Sequence, residues 1–163
     1  MLFLFSLIRQ LLLASLVLLF AACQPSLQDR TTPNGSQAWR MDASGQDTLA
    51  DAQAATDWQA LSDWKSWGFG PETVWLKVQV QATEGEKRTP WIVRIRPAFL
   101  DNLTLYDPAT HLVVHTGDAL PPSEDNLASI NFTLQIPALP YERTVYVQMR
   151  TTSARTMHVE VLP

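Results

Sequence analysis

The sequence predicts an all-β fold, a β-sandwich or jelly roll of about eight antiparallel strands with one short N-terminal helix or loop. From Thr73 onward, apolar side chains recur at every second position, which is the period of a strand with one buried face. Turn-forming residues separate these runs at regular spacing, as they do in sandwiches. The chain also has six Trp and eleven Pro but only six Gly, a composition that favours strands and ordered loops over a helical bundle.

The first part of the predicted domain contains one strand, one helical stretch and one loop. Gln37–Asp42 alternates and is predicted as the first strand. Asp47 or Thr48 is a candidate N-cap for an Ala-rich stretch that ends near Trp58, so a short helix or irregular loop is expected there. Residues 62–72, rich in Trp, Gly and Pro, are predicted to form an ordered loop rather than a regular element.

Seven further alternating runs complete the predicted strands. They are residues 73–81, 90–97, 99–107, 111–118, 129–137, 143–150 and 156–163. In the first of them Val74, Leu76 and Val78 fall on one face, with Trp75 and Lys77 on the other. Such clean alternation predicts that each sheet has one face on the core and one toward solvent.

The N-terminus is predicted to direct export. Residues 1–22 are predicted to be a signal peptide, because Leu11–Phe20 is an apolar run of about ten residues, too short to span a bilayer. Cys23 follows two alanines, as in bacterial lipoprotein signals, and is therefore the candidate lipidation site; plain secretion and an uncleaved anchor are the alternatives. Residues 23–36 are predicted to be a flexible tether and 37–163 the folded domain. Every option places the domain on the periplasmic side of a bacterial membrane.

Composition and motifs exclude several functions. The formal net charge is −4 and no basic run occurs, so nucleic acid is not an expected partner. A lone cysteine forms neither an internal disulfide nor, by itself, a zinc site. The chain has no GxSxG, HExxH, glycine-rich phosphate loop or CxxC. We therefore expect a non-catalytic protein with no cofactor and no metal.

Residues 100–118 carry several aspartates and two histidines that suggest a metal site at first sight. Asp107 and Asp118 are predicted to form turns, because one precedes a proline and the other follows a glycine. His111 and His115 are expected on one strand face about 13 Å apart, too far to share a metal.

A binding face is the remaining candidate for function. Six side chains project away from the predicted core faces of their strands and are the candidate ligand-binding residues: Trp75, Arg94, Arg96, Tyr106, Tyr146 and Arg150. Aromatic faces stack on sugar rings, and Arg forks bind carboxylates or hydroxyls. Alternatively, the rings pack under the Trp-rich loop and the arginines form a solvated face. A concave surface gathering Trp75, Arg94, Arg96 and Tyr106 would support a small-molecule site, whereas scattered residues would support a protein interface.

Four segments carry a family resemblance. They are GPETVWL at residues 70–76, LDNLTLY at 100–106, Gly117–Asp118, and TVYVQMR at 144–150. Their order and spacing resemble the periplasmic sensor domain, type 2, of bacterial seven-transmembrane receptors with diverse intracellular signalling modules. The resemblance covers roughly residues 38–163.

The resemblance implies a jelly roll similar to carbohydrate-binding modules and an outward-facing sensor of a carbohydrate or another small molecule. It also implies a transmembrane signalling partner, because such receptors continue into a membrane bundle and an output domain. The sequence given contains neither after Pro163. Two interpretations therefore stay open: a part of a receptor, or a free-standing envelope lipoprotein that acts as a protein-interaction module.

Overall fold

The computed structural model describes residues 37–83, 89–121 and 131–162. The predicted signal peptide, the candidate lipidation site Cys23 and the predicted tether lie outside these residues.

The described residues form two antiparallel sheets, as predicted. Their ten strands are β1 (Gln37–Asp42), β2 (Gln59–Leu61), β3 (Lys65–Ser66), β4 (Thr73–Val80), β5 (Trp91–Arg96), β6 (Asn102–Asp107), β7 (Leu112–Thr116), β8 (Phe132–Ile136), β9 (Arg143–Arg150) and β10 (Thr156–Leu162). The larger sheet has the order β2–β1–β4–β9–β6–β7, and the smaller sheet has the order β3–β10–β5–β8.

The core lies between the two sheets and follows the predicted alternation. Val74, Leu76, Val78 and Val80 of β4 all enter it, together with alternate residues of the other long strands, such as Val145, Val147 and Met149 of β9. Full burial of such a side chain contributes roughly 1.5–3 kcal/mol. The period-two pattern of the sequence is therefore the pattern of the packed core.

One short helix is present in the described residues, α1 (Leu49–Ala54). Thr48 is its N-cap, one of the two residues predicted for that role, and forms a capping box in which the Asp51 side chain bonds back to the Thr48 backbone. Six residues are too few for a stable isolated helix. Tertiary packing supplies the rest, because Ala52 is fully buried.

Two strands were not predicted. The short β2 and β3 raise the count from about eight to ten, and β3 lies inside the segment predicted to be a loop. Strands of three and two residues are too short to show alternation. They exist because each pairs with a longer neighbour, β2 with β1 and β3 with β10.

The turn after β6 differs in part from its prediction. Asp107 forms the expected turn, since its Oδ1 accepts from the backbone N–H of Ala109 at 3.2 Å. However, the same carboxylate is fully buried and also accepts from Arg143 Nε at 2.9 Å. His111 was expected on a strand, but it occupies the turn with a φ of 59°. The predicted shared strand face of His111 and His115 is therefore wrong.

Candidate functional site

Three of the predicted binding residues lie on the outer face of the larger sheet. Trp75 and Tyr106 stack with ring centroids 5.7 Å apart and an interplanar angle of 24°. Tyr146 lies beside Tyr106 in the register of β9 and β6, and its ring is 6.2 Å from that of Trp58. Lys77 Nζ lies 4.8 Å from the centre of the Trp58 ring. The outer face of this sheet is therefore an aromatic layer.

The segment that contains α1 covers part of this layer. Arg40, the register partner of Trp75, forms ion pairs with Asp47 and Asp57, which precede and follow the helix. Trp75 is 0% exposed although it lies outside the main core. Its indole Nε1 has no hydrogen-bond partner among the described residues. Trp75 thus packs beneath the protein's own chain, where no ligand reaches its face.

A small cleft of about 310 Å³ opens beside Tyr106. It lies between the start of α1 and the turn that joins β6 to β7, and is lined by Leu49, Tyr106, Asp107, Pro108, His111, Leu112 and Val113. The carboxylate in this set is the one already paired with Arg143. The cleft therefore offers mainly apolar contacts.

Arg94 and Arg96 lie on the outer face of the other sheet. Both pair with Glu160 of β10, at 3.6 and 3.0 Å. Arg96 Nη2 is also 2.9 Å from His158 Nδ1, and the His158 ring stacks on Trp64 at 5.2 Å and 17°. The two arginines therefore belong to a surface ion-pair network.

The structure does not bring the predicted site residues together. The aromatic residues Trp75, Tyr106 and Tyr146 lie on one sheet, whereas Arg94 and Arg96 lie on the other and face the opposite way. The concave surface that would gather four of them is not formed. Their outward direction was predicted by the period of two, but the period contains no information about which sheet a strand joins.

Arg150, the sixth predicted residue, lies in a different place. It lines a cavity of about 490 Å³ at the end of the sandwich where β4, β6 and β10 begin and β9 ends. We call this the loop-end cavity, lined by Gly70, Pro71, Asp101, Asn102, Arg150, Thr151 and Thr152. The described domain begins at Gln37 and ends at Leu162, and both residues lie toward the opposite end of the sandwich.

Arg150 is oriented by contacts with two residues that do not line the cavity. Its Nε donates to Thr73 Oγ1 at 3.2 Å and its Nη2 to the carbonyl of Gly45 at 2.8 Å. Its Nη1 has no hydrogen-bond partner in the described part of the chain. A guanidinium held in this way keeps one donor group for an incoming molecule.

Both the side-chain carboxylate and the backbone carbonyl of Asp101 accept hydrogen bonds. The backbone N–H of Thr152 and then its hydroxyl donate to Asp101 Oδ2 at 2.6 and 2.7 Å, and these bonds lower the pKa of the carboxyl from its ordinary value of 3.8. The Asp101 carbonyl accepts from the N–H of Ala119. Gly117, at φ +147°, packs so closely that an added Cβ would lie 2.0 Å from this carbonyl oxygen. Asp101 is therefore fixed and ionised at neutral pH.

The wall of the cavity at residues 67–72 depends on one buried side chain, Arg155, which is 3% exposed. Its guanidinium donates to the carbonyls of Trp67, Gly68, Phe69 and Glu72 at 3.0–3.4 Å. It also pairs with the Glu72 carboxylate. An added Cβ on Gly70 would lie 2.3 Å from Glu72 Oε2 and 2.6 Å from Arg155 Nη2, so a larger residue there would have to displace this ion pair.

Arg155 was not predicted as a functional residue, although the sequence contained a signal for it. The inward residues of β10 are Met157, Val159 and Val161. Arg155 lies two residues before Met157, so the same alternation places it on the core face. A cation on that face requires a buried partner. By the same alternation, Arg143, two residues before Val145, is also placed on the core face.

The described residues contain no group of three or more His, Cys, Asp or Glu side chains that could hold a metal ion. They also contain no helix long and apolar enough to cross a membrane.

Comparison with known families identifies the domain. No curated protein matches the chain. The family model described as 7TMR-DISM extracellular 2 matches residues 35–162, which includes every described residue. The chain therefore belongs to the 7TMR-DISM extracellular 2 family, the extracellular sensory domains of transmembrane receptors.

Proposed function

We propose that this chain is a non-catalytic, ligand-sensing domain on the periplasmic side of a bacterial membrane, and that it binds a carbohydrate or another small polar molecule for a transmembrane signalling partner. The observation that supports it most is the family match over the whole described domain. The family accounts for a sensory, extracellular role, and the proposal adds the ligand and the anchor.

The loop-end cavity is the proposed ligand site. Its volume of about 490 Å³ lies within the roughly 300–1,000 Å³ typical of small-molecule pockets. Among the six predicted binding residues, Arg150 contacts the ligand directly in this proposal. Tyr106 lines the second cleft, and its ring stacks on Trp75 and lies beside Tyr146. Arg94 and Arg96 form ion pairs on the opposite sheet and do not contact the ligand in this proposal.

The proposed signalling mechanism depends on where the loop-end cavity lies in the domain. The segments that precede β4, β6 and β10 contribute residues to the loop-end cavity, whereas Gln37 and Leu162 lie toward the other end. A ligand shifts an equilibrium only by its different affinity for two states. We propose that bound ligand favours one packing of the 67–72 and 151–155 loops, and that β4 and β10, which follow these loops, transmit the change.

The proposed membrane attachment is a lipid on Cys23 after cleavage of residues 1–22. Two alanines before this cysteine support it. Metabolic labelling with tritiated palmitate tests it: the wild-type protein is expected to carry label and fractionate with membranes, and Cys23→Ala to lose both. Unlabelled wild-type protein would leave plain secretion or an uncleaved anchor.

Thermal melting tests the ligand site. The purified protein is melted with a panel of neutral sugars, sugar acids and small zwitterions, each at about 10 mM, a concentration that stabilises the folded state measurably whenever the Kd is well below it. A binding compound is expected to raise the melting temperature of the wild type and of Arg94→Met, but not of Arg150→Met. A compound that stabilises the wild type and Arg150→Met equally contradicts the assignment of the cavity.

The competing proposal is an envelope protein-interaction module. It is supported by three exposed apolar side chains on separate loops of the loop end, Phe69 at 76%, Phe99 at 47% and Leu120 at 36% exposed. Replacing Phe69 and Phe99 by Ser separates the two proposals. Loss of signalling with ligand binding intact favours the interaction module.

A further inference from the structure

We infer that the loop-end cavity recognises a small zwitterion, a molecule that carries a carboxylate and an ammonium group close together, such as a free α-amino acid. The inference rests on the proposed function and names the chemical class of its ligand. It follows from the arrangement of two opposite charges that the protein holds in one cavity without pairing them.

The first observation concerns charge. Of the seven residues that line the cavity, Arg150 and Asp101 are the ionisable ones, and their charges are opposite. No nitrogen of Arg150 lies within 4.0 Å of a carboxylate oxygen in residues 37–83, 89–121 and 131–162. Arg150 is exposed and Asp101 is partly buried, so a neutral ligand in this space would remove part of the water from both charges and compensate neither. A zwitterion supplies a counter-charge to each.

The second observation concerns orientation. Arg150 is fixed by Thr73 and Gly45, which do not line the cavity, and Asp101 is fixed by Thr152, which does. Both charged groups are therefore in position before a ligand arrives, which reduces the ordering entropy lost on binding. The Asn102 side chain lines the same cavity and has no partner among the described residues, so it adds a neutral donor and acceptor.

The third observation separates a zwitterion from a neutral sugar. No aromatic residue occurs among the seven lining residues. The aromatic layer of Trp75, Tyr106 and Tyr146 lies on the outer face of the larger sheet instead. The cavity thus lacks the ring surface on which a sugar face stacks, but has the two charges that an amino acid needs.

The experiment is a charge-removal series followed by two-dimensional NMR of the ¹⁵N-labelled full chain. The probes are the twenty proteinogenic L-amino acids, and for each one that binds, its C-terminal amide and its N-acetyl derivative. Glucose and N-acetylglucosamine are the neutral probes. The variants are Arg150→Met, Asp101→Asn and the matched control Arg94→Met on the opposite sheet, each checked for an unchanged fold by its own spectrum.

The expected result is that each of the two cavity variants loses discrimination against one derivative of the amino acid. At least one amino acid binds with shifts at residues 101, 102 and 150–152, and the amide and the N-acetyl derivative each bind at least tenfold more weakly. In Arg150→Met the amino acid and its amide bind equally, because the partner of the carboxylate is gone. In Asp101→Asn the amino acid and its N-acetyl derivative bind equally, and Arg94→Met behaves as the wild type.

Three results overturn the inference. If no amino acid shifts the cavity resonances while a neutral sugar does, the zwitterion assignment is wrong and the proposed sensor site stands. If amino acids bind but the variants keep full discrimination against the amide and N-acetyl forms, the charges are not the recognition groups. Shifts only at the cleft beside Tyr106 would reject both the inference and the loop-end cavity as the ligand site.

Discussion

The dependence of the cavity wall on Arg155 leads to a prediction that tests the site and the fold together. Arg155→Met removes the guanidinium but keeps an unbranched apolar stem. Four carbonyls of the 67–72 loop then lose their donor. We expect the wall of the loop-end cavity to open and the domain to lose stability.

The magnitude follows from the number and burial of these contacts. A buried acceptor left without a partner costs about 1–3 kcal/mol. Most of the four carbonyls recover water once the loop opens, so their costs do not add. The ion pair with Glu72 is left out, because that carboxylate is partly exposed. We expect a loss of about 2–4 kcal/mol, which is a fall in melting temperature of roughly 6–16 °C for a domain of this size.

Urea denaturation followed by far-UV circular dichroism measures the change. Arg155→Lys is an internal comparison, because it keeps the charge but cannot reach four carbonyls, and its loss is expected to be intermediate. Arg94→Met is the matched control, since an exposed pair contributes about 0–1 kcal/mol. A loss of less than 1 kcal/mol for Arg155→Met would mean that this side chain does not support the loop.

Three further predictions concern two buried side chains and the Asp101 carboxylate. Asp107→Asn leaves the Arg143 cation buried without its counter-charge, so urea denaturation should show a loss of about 3–5 kcal/mol; a change below 1 kcal/mol would show that water already reaches the pair. Trp75→Phe should cost under about 1.5 kcal/mol by thermal melting, because the indole Nε1 already lacks a partner, whereas Trp75→Ala should cost about 3–5; equal losses would contradict the buried position. The lowered pKa of Asp101, caused first by the backbone N–H of Thr152, means that its contribution is complete above its ordinary value of 3.8 and is lost as pH falls through the lowered value. Melting temperature measured against pH should therefore fall less steeply in acid for Asp101→Asn than for the wild type, and parallel curves would be evidence against the Thr152 bonds.

The strands and the core were predictable because the chain repeats a simple physical requirement. A strand with one buried face alternates, so the pattern of residues 143–150 places Val145, Val147 and Met149 on one face, and all three are buried. Extending the alternation by two residues from Val145, Met157 and Leu105 would have placed Arg143, Arg155 and Asp107 inward as well. A charge on the core face requires a partner, so the pattern contained the signal that these residues are paired or hydrogen-bonded, although not with which partner.

The candidate site was less predictable, because outward direction is shared by both sheets. Trp75 and Arg94 both point away from the core, yet they lie on opposite sides of the sandwich. The covering of Trp75 depends on Arg40, which ties down the segment around α1 through Asp47 and Asp57. These contacts join positions that no periodicity relates.

By itself, the sequence determined the all-β class, the long strands, the inward residues and the family, since all four are properties of local pattern and order along the chain. Only the tertiary structure decided which sheet each strand joins, which aromatic face is covered, and that Arg150 and Asp101 meet in one cavity. The two residues are 49 positions apart in the sequence. The neighbouring hydrogen bond from the Asp101 N–H to Thr151 Oγ1 joins residues 50 positions apart. Arg150 and Asp101 come together because β6 and β9 pair in the larger sheet, and strand pairing across such separations is set by the packing of the whole core.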